Sequence, residues 1–180
     1  MNLVILLLAA GSSERYKVNK FDKPKQLESI NRKTIIEICL ENLIMLNLNS
    51  KILTVASKST FNNTKLICEK LNVLPPIIGG NTRQDSVKKG LNYLDKFNPK
   101  RIIIHDVARP YINKHVIDDL IKNLKGSISC VVPYLNVSDS LAKVEKNNKL
   151  KRVDKNKFYL IQTPQICKFE DLKYVHDNNN

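Results

Sequence analysis

Residues Leu3 to Gln26 read LVILLLAAGSSERYKVNKFDKPKQ. Eight apolar residues, Leu3 to Ala10, run without a charge and stop at Gly11-Ser12-Ser13. That is the composition of a strand covered by helices on both faces, because neither face meets water. In open α/β sheets the loop that leaves such a strand is where ligands bind. Here the loop is made of small residues, Ala9, Ala10, Gly11, Ser12 and Ser13, and is followed by the cations Arg15, Lys23 and Lys25. Small residues let backbone amides approach a phosphate closely, so the stretch predicts a phosphate cradle; the plainer alternative is a surface turn with a solvated basic loop. Neither of the two familiar phosphate loops is present, since the chain has no GxxxxGK followed by Ser or Thr and no GxGxxG after this strand.

The 180 residues predict one domain, 1–180, with enough chain to bury a core. Hydrophobic residues at 42% and charged residues at 26% are ordinary for a globular protein and argue against disorder. The first apolar run has no basic residue before it and is too short to span a bilayer, which points to the cytoplasm and away from a membrane. Cys39, Cys68, Cys130 and Cys167 are widely spaced, with no CxxC pair and no histidine beside them; they predict buried thiols rather than a zinc site or a disulfide framework. The net charge of +13 favours anionic partners. The basic residues are spread along the whole chain with no arginine-rich run or aromatic platform, which argues against nucleic acid.

Further along, Thr34 and Glu37 have capping-box spacing ahead of a helix predicted over 34–47. KILTVA (Lys51 to Ala56) predicts a strand and Ser59 to Leu71 a helix. Pro75-Pro76-Ile77-Ile78 can only be a short or edge strand. Gly79-Gly80 breaks the chain before a helix to Leu94. RIII (Arg101 to Ile104) predicts a strand ending in His105-Asp106, and a helix to Leu124 and a buried strand, Ile128 to Pro133, follow. The alternation predicts an α/β fold, a Rossmann-like three-layer sandwich with a mostly parallel sheet. The rhythm then changes: Asn136 to Asp154 has two alternating halves around Asn147-Asn148 and predicts a protruding β-hairpin arm. Tyr159 to Gln162 is expected to return to the sheet, and Phe169 to Val175 to form a last helix.

Four motifs thus stand in order: LAAGSSER with PKQ, GGNTRQDSV, HDVARP, and VSDS followed by RVDKNKFYLIQTPQ. The opening motif resembles that of sugar-phosphate nucleotidyltransferases, and the four together resemble the 2-C-methyl-D-erythritol 4-phosphate cytidylyltransferase family over nearly the whole chain. The resemblance implies transfer of a cytidylyl group from CTP to a sugar-alcohol phosphate in non-mevalonate isoprenoid synthesis, with Mg²⁺ on the triphosphate. It implies that Arg15 and Lys25 stabilise the charge that builds at the α-phosphate. Ala9, Ala10 and Gly11 would contact the nucleotide through backbone, and Gly80, Asn81, Ser86 and Ala108 would join them, with Arg83 bracing the Gly80 loop. Asp106 would stand near ribose, substrate and metal, as a possible metal contact or in an ion pair for which Arg109 is a nearby partner. Arg109, Ser140, Lys155 and Thr163 would hold the acceptor, Lys155 as a catalytic cation. The arm would reach over a second subunit of a homodimer. His105 is expected to be structural, since a phosphate monoester needs no general base.

Two substitutions depart from the family pattern: Ser140 stands where it has Thr, and Lys155 where it has Arg, keeping the charge and losing the bidentate fork. The family also continues past TPQ with an acidic TD loop and a lysine-bearing NIK segment; the sequence lacks this C-terminal segment, which implies either a piece of a longer or fused protein or an impaired one. Ribitol-5-phosphate cytidylyltransferase and a catalytically impaired nucleotide-binding fragment are the alternative functions.

Overall fold

The computed structural model describes residues 2–11 and 24–178. All seven residues of β1 (Leu3–Ala9) are buried. Leu3, Ile5, Leu7 and Ala9 enter one core and Val4, Leu6 and Leu8 the other, so an uninterrupted apolar run is what the strand's position requires.

A short 3-10 turn (Lys25–Leu27) and a small ladder of β2 (Ser29–Ile30) with β3 (Lys33–Thr34) lead into α1 (Ile35–Met45). The Thr34 hydroxyl caps α1 by accepting from the Glu37 amide at 3.3 Å. The expected reciprocal half of the capping box is replaced: the Glu37 carboxylate accepts from Lys70 Nζ at 2.7 Å, which holds its pKa below the ordinary value. Strands and helices then alternate through β4 (Lys51–Ala56), α2 (Phe61–Lys70), β5 (Ile77–Ile78), α3 (Arg83–Leu94), β6 (Arg101–Asp106) and α4 (Lys114–Asn123). The chain continues with β7 (Cys130–Val131), β8 (Tyr134–Asn136), β9 (Leu141–Val144), β10 (Leu150–Val153), β11 (Tyr159–Ile161), β12 (Gln165–Lys168) and α5 (Phe169–Asn178).

The main sheet has six strands in the order β5-β4-β1-β6-β12-β7. β5, β4, β1 and β6 are mutually parallel, and β12 runs antiparallel to both its neighbours. α1, α2 and α4 fill one face through Ile36, Leu40, Leu43, Cys68, Ile117 and Leu120. α3 and α5 fill the other through Val87, Leu91, Leu94 and Phe169. This is the expected three-layer sandwich. The hairpin is present as β9 paired with β10, and the chain turns at Lys146–Asn148, with Asn147 and Asn148 both at positive φ.

Three expectations are corrected. Tyr159 to Gln162 does not return to the main sheet; Tyr159–Ile161 pairs with Tyr134–Asn136 in a separate exposed ladder, and Gln165–Lys168 is the strand that returns. The more apolar segment is the more exposed one, which periodicity alone cannot reveal. The predicted buried strand at Ile128 to Pro133 shrinks to Cys130–Val131 at the sheet edge, where it is not covered on both faces. Finally, only Cys39 and Cys68 are free buried thiols, and burial pushes Cys39 up to about 12. Cys130 and Cys167 stand opposite each other across β7 and β12 and form a disulfide. They are 37 residues apart in sequence, so the pairing depends on a strand register that spacing does not disclose.

This disulfide closes a covalent loop at the root of the arm. β8 through β11 lie inside it. By the loop-closure effect, opening it costs about 2–4 kcal/mol of stability. Thermal unfolding with and without a thiol reductant should show a lower midpoint for the reduced chain, and Cys130→Ser should give the lower midpoint regardless of reductant. Equal midpoints would show that the loop adds nothing to stability.

Candidate active site at the carboxyl ends of the parallel strands

Because β5, β4, β1 and β6 are parallel and in register, their carboxyl ends present Gly79-Gly80, Ser57, Ala10-Gly11 and Val107 at one edge of the sheet. At the end of β1 Gln26, only 4% exposed, donates from Nε2 to the Ala9 carbonyl at 3.0 Å. The PKQ segment is thereby tied to the end of β1, which brings the neighbouring exposed Lys25 to the cradle. Gln26 was not assigned a role from sequence; its signal is a polar residue in a motif with cations, at a position that proves to be buried. Arg15, Ser12, Ser13 and Lys23 lie outside the described residues.

The Gly79–Ser86 loop is held from three sides. The Gly79 amide donates to Ala56 O at 2.9 Å, the Gly80 amide to Ser86 Oγ at 3.1 Å, and Ser86 Oγ in turn to Thr82 O at 3.0 Å. Thr82 and Asp85 form a full capping box at the start of α3, with both hydrogen bonds at 3.0 Å. The Thr82 hydroxyl and amide hold the Asp85 carboxyl below the ordinary range. Lys89 Nζ donates to the Gly79 carbonyl at 2.9 Å. A Cβ on Gly79 would sit 2.7 Å from both Ala10 Cβ and Ser86 Oγ, and one on Gly80 would sit 2.1 Å from Asp85 Cβ. Glycine here is a matter of close approach: it brings the loop onto Ala10, so the two expected nucleotide segments touch.

At the end of β6 the Asp106 carboxylate accepts from Arg83 at 3.1 Å, and the Asp106 amide donates to Thr163 Oγ1 at 3.3 Å. The partner is Arg83, not the neighbouring Arg109, whose amide turns back to Asp106 O at 3.0 Å. Ala108 and Arg109 are exposed in that turn. His105 is buried, and its Nε2 donates to the Arg109 carbonyl at 2.8 Å, fixing the turn. Among the described residues its Nδ1 has no partner. A second proton there would be unpaired, and burial pushes the pKa down.

Ala9, Ala10, Gly11, Gly80, Ser86, Asp106 and Thr163 are thus brought to one edge, with Asn81 exposed on the same loop. Ser140 on the arm is exposed and Lys155 just after it is half-buried, and Lys155 Nζ donates to the Ser138 carbonyl at 2.6 Å. Among the described residues no group of three His, Cys, Asp or Glu could hold a metal.

Two outcomes follow from these contacts. Ser86→Ala removes the acceptor of the Gly80 amide and should cost about 1–2 kcal/mol in urea unfolding, with faster hydrogen exchange at Gly80; unchanged exchange would show that the loop is held otherwise. Burial holds the His105 pKa below the ordinary value of 6.5, so its stabilising effect is complete above that value and is lost as pH falls below it. Urea unfolding at several pH values from 7.5 down to 5.5 should show a steeper loss in the parent chain than in His105→Gln, by up to about 1.4 kcal/mol per pH unit. Parallel profiles would exclude His105 as the cause.

The family profile that matches residues 3–180 is IspD, 2-C-methyl-D-erythritol 4-phosphate cytidylyltransferase. The chain is 31% identical over 182 residues to the bifunctional enzyme IspD/IspF of Pelagibacter ubique, covering 100% of this chain and 47% of that protein. It is 28% identical over 173 residues to the 2-C-methyl-D-erythritol 4-phosphate cytidylyltransferase of Thermotoga neapolitana, covering 96% of this chain and 76% of that one. The structure of the bifunctional IspDF from Campylobacter jejuni superposes with a TM-score of 0.79 at 29% identity, covering 99% of this chain and 44% of that chain. The chain therefore spans about half the length of the bifunctional relatives it matches. A profile match from the first residue of β1 onward, over loops that meet at one edge of the sheet, places the chain in the 2-C-methyl-D-erythritol 4-phosphate cytidylyltransferase family.

Proposed function

We propose that the chain transfers the cytidylyl group of CTP to 2-C-methyl-D-erythritol 4-phosphate. A phosphate oxygen of the acceptor attacks the α-phosphorus, a new P–O bond forms, and the bond to the leaving pyrophosphate breaks. Nucleophile and electrophile are both anionic, so the chemistry needs charge neutralisation and alignment more than proton transfer. The observation that carries the reading is the packing of the Gly79-Gly80 turn on Ala10, which brings the loop after β5 against the loop after β1 at the sheet edge. In this reading Arg15 and Lys25 stabilise the α-phosphate and the leaving group, while Gly11, Gly80, Asn81, Ser86 and Ala108 hold the nucleotide.

Mg²⁺, when bound, would neutralise triphosphate oxygens, which suits a site with few available carboxylates, since this ion is carried mainly by substrate phosphates. Asp106 would assist it through the carboxylate oxygen that faces away from Arg83 or on release of that pair. The acceptor phosphate would meet Thr163 and Arg109 from one subunit and Ser140 and Lys155 from the arm of a second. Supporting a homodimer, Leu135, Phe158, Tyr159, Leu160 and Ile161 at the root of the arm are 47–57% exposed, an apolar surface of the kind that seeks a cover. Among the described residues no helix is long and apolar enough to cross a membrane. We place the enzyme in the cytoplasm, where the Cys130–Cys167 bond is open to reduction.

The test is pyrophosphate release from CTP and Mg²⁺ with each acceptor in turn. Methylerythritol phosphate should support turnover and ribitol 5-phosphate should not; turnover with ribitol phosphate alone, or CTP binding without turnover, would overturn the assignment. Arg15→Ala and Lys25→Ala should each lower kcat by about 10²-fold or more with a smaller rise in KM, because their charges act on the transition state. Equal effects on CTP binding and on rate would make them docking residues.

A further inference from the structure

We propose that Arg83 is a positioning residue that couples the nucleotide half of the site to the acceptor half through Asp106; the inference rests on the cytidylyltransferase reading. Arg83 is the first residue of α3 and stands directly after the Thr82 cap. Its backbone belongs to the Gly79–Ser86 loop, where the capping box and the Ser86 hydroxyl fix it. Its guanidinium leaves that loop and reaches the Asp106 carboxylate, 23 residues along the chain, at 3.1 Å. The same aspartate is tied by its amide to Thr163, 57 residues further on, at 3.3 Å. Asp106 is therefore the one residue described here that is bonded to both the nucleotide loop and the segment that leads back from the arm.

Stability does not account for this pair. The Arg83 and Asp106 side chains are 49% and 37% exposed, and an ion pair so open to solvent contributes little to folding. An exposed pair can still orient. A guanidinium is a rigid planar donor, so a carboxylate held on it has fewer orientations than one in water. Arg83 lies three residues from Gly80, so a nucleotide that settles on the Gly80 and Ser86 contacts also settles the guanidinium, and with it Asp106 and the Thr163 hydroxyl. Bound nucleotide then strengthens acceptor binding, and acceptor strengthens nucleotide binding by the same factor.

Calorimetric titration of the full chain tests this. Methylerythritol phosphate would be titrated with and without α,β-methylene-CTP and Mg²⁺, into the parent chain, Arg83→Gln and Arg83→Lys. The parent should bind the acceptor about fivefold or more tightly when the analogue is present. Arg83→Gln should bring that ratio to about one, and Arg83→Lys should restore part of it, whatever either change does to the separate affinities. In Asp106→Asn the ratio should also fall to about one, with no further change when both positions are substituted. A merely structural arginine would lower both affinities and leave the ratio intact. A ratio near one in the parent, or an undiminished ratio in Arg83→Gln, overturns the coupling while leaving the cytidylyltransferase reading in place. If the parent binds neither ligand, that reading falls and takes the coupling with it.

Discussion

The burial of β1 on both faces is the constraint from which the rest of the molecule follows. A strand whose alternate side chains enter two different cores cannot slip by one residue without exchanging those cores, so its register is fixed by packing. Its neighbours inherit that register: Ala9 stands beside Ala56, Leu8 beside Asp106, and Ala56 beside Ile78. At roughly 3.3 Å per residue, strand ends matched this closely deliver their loops to one level. The proposed cradle, assembled from three separate loops, needs that alignment before any side chain can matter.

The second half of the chain solves a different problem. β12 enters the sheet antiparallel between β6 and β7, so the segment before it arrives at the same edge from which the parallel strands depart. Thr163 reaches the Asp106 amide for that reason. The arm between β7 and β12 is exposed along most of its length, and the disulfide closes its root where the two strands lie side by side. Ordering is thus concentrated at the base of the arm, while Ser140 and Lys155 are carried outward on it.

What the amino-acid sequence discloses is divided along the same line. β1, β4 and β6 are legible because burial on two faces leaves a run of apolar residues, and α3 is legible because Gly79-Gly80 breaks the chain ahead of it. The proposed cradle residues come from family motifs, two of which lie at the ends of β1 and β6. Where partners come from distant segments the sequence is mute. Asp106 has an arginine three residues away and pairs instead with Arg83, from a loop 23 residues earlier in the chain. Tyr159–Ile161 reads as a core strand because it is apolar, yet it lies in an exposed ladder, and composition alone does not separate the two. Cys130 and Cys167 are related only by register, and Gln26 only by the return of its segment to β1.

The electrostatics of the edge argue that the Arg83–Asp106 contact belongs to the chemistry rather than to folding. Both proposed substrates are phosphate anions, and a bare carboxylate at the end of β6 would repel them. At about 4 Å, with an effective dielectric near 20, two like unit charges repel by roughly 4 kcal/mol. A guanidinium on Asp106 cancels most of that field while leaving the carboxylate in place, and Lys89 on the Gly79 carbonyl adds positive charge behind the same loop. The net charge of +13 is diffuse and says little about where an anion should stop. What the edge holds locally is two glycines that let their loop close on Ala10, a serine and a threonine that hold that loop, and an acid whose charge is already met.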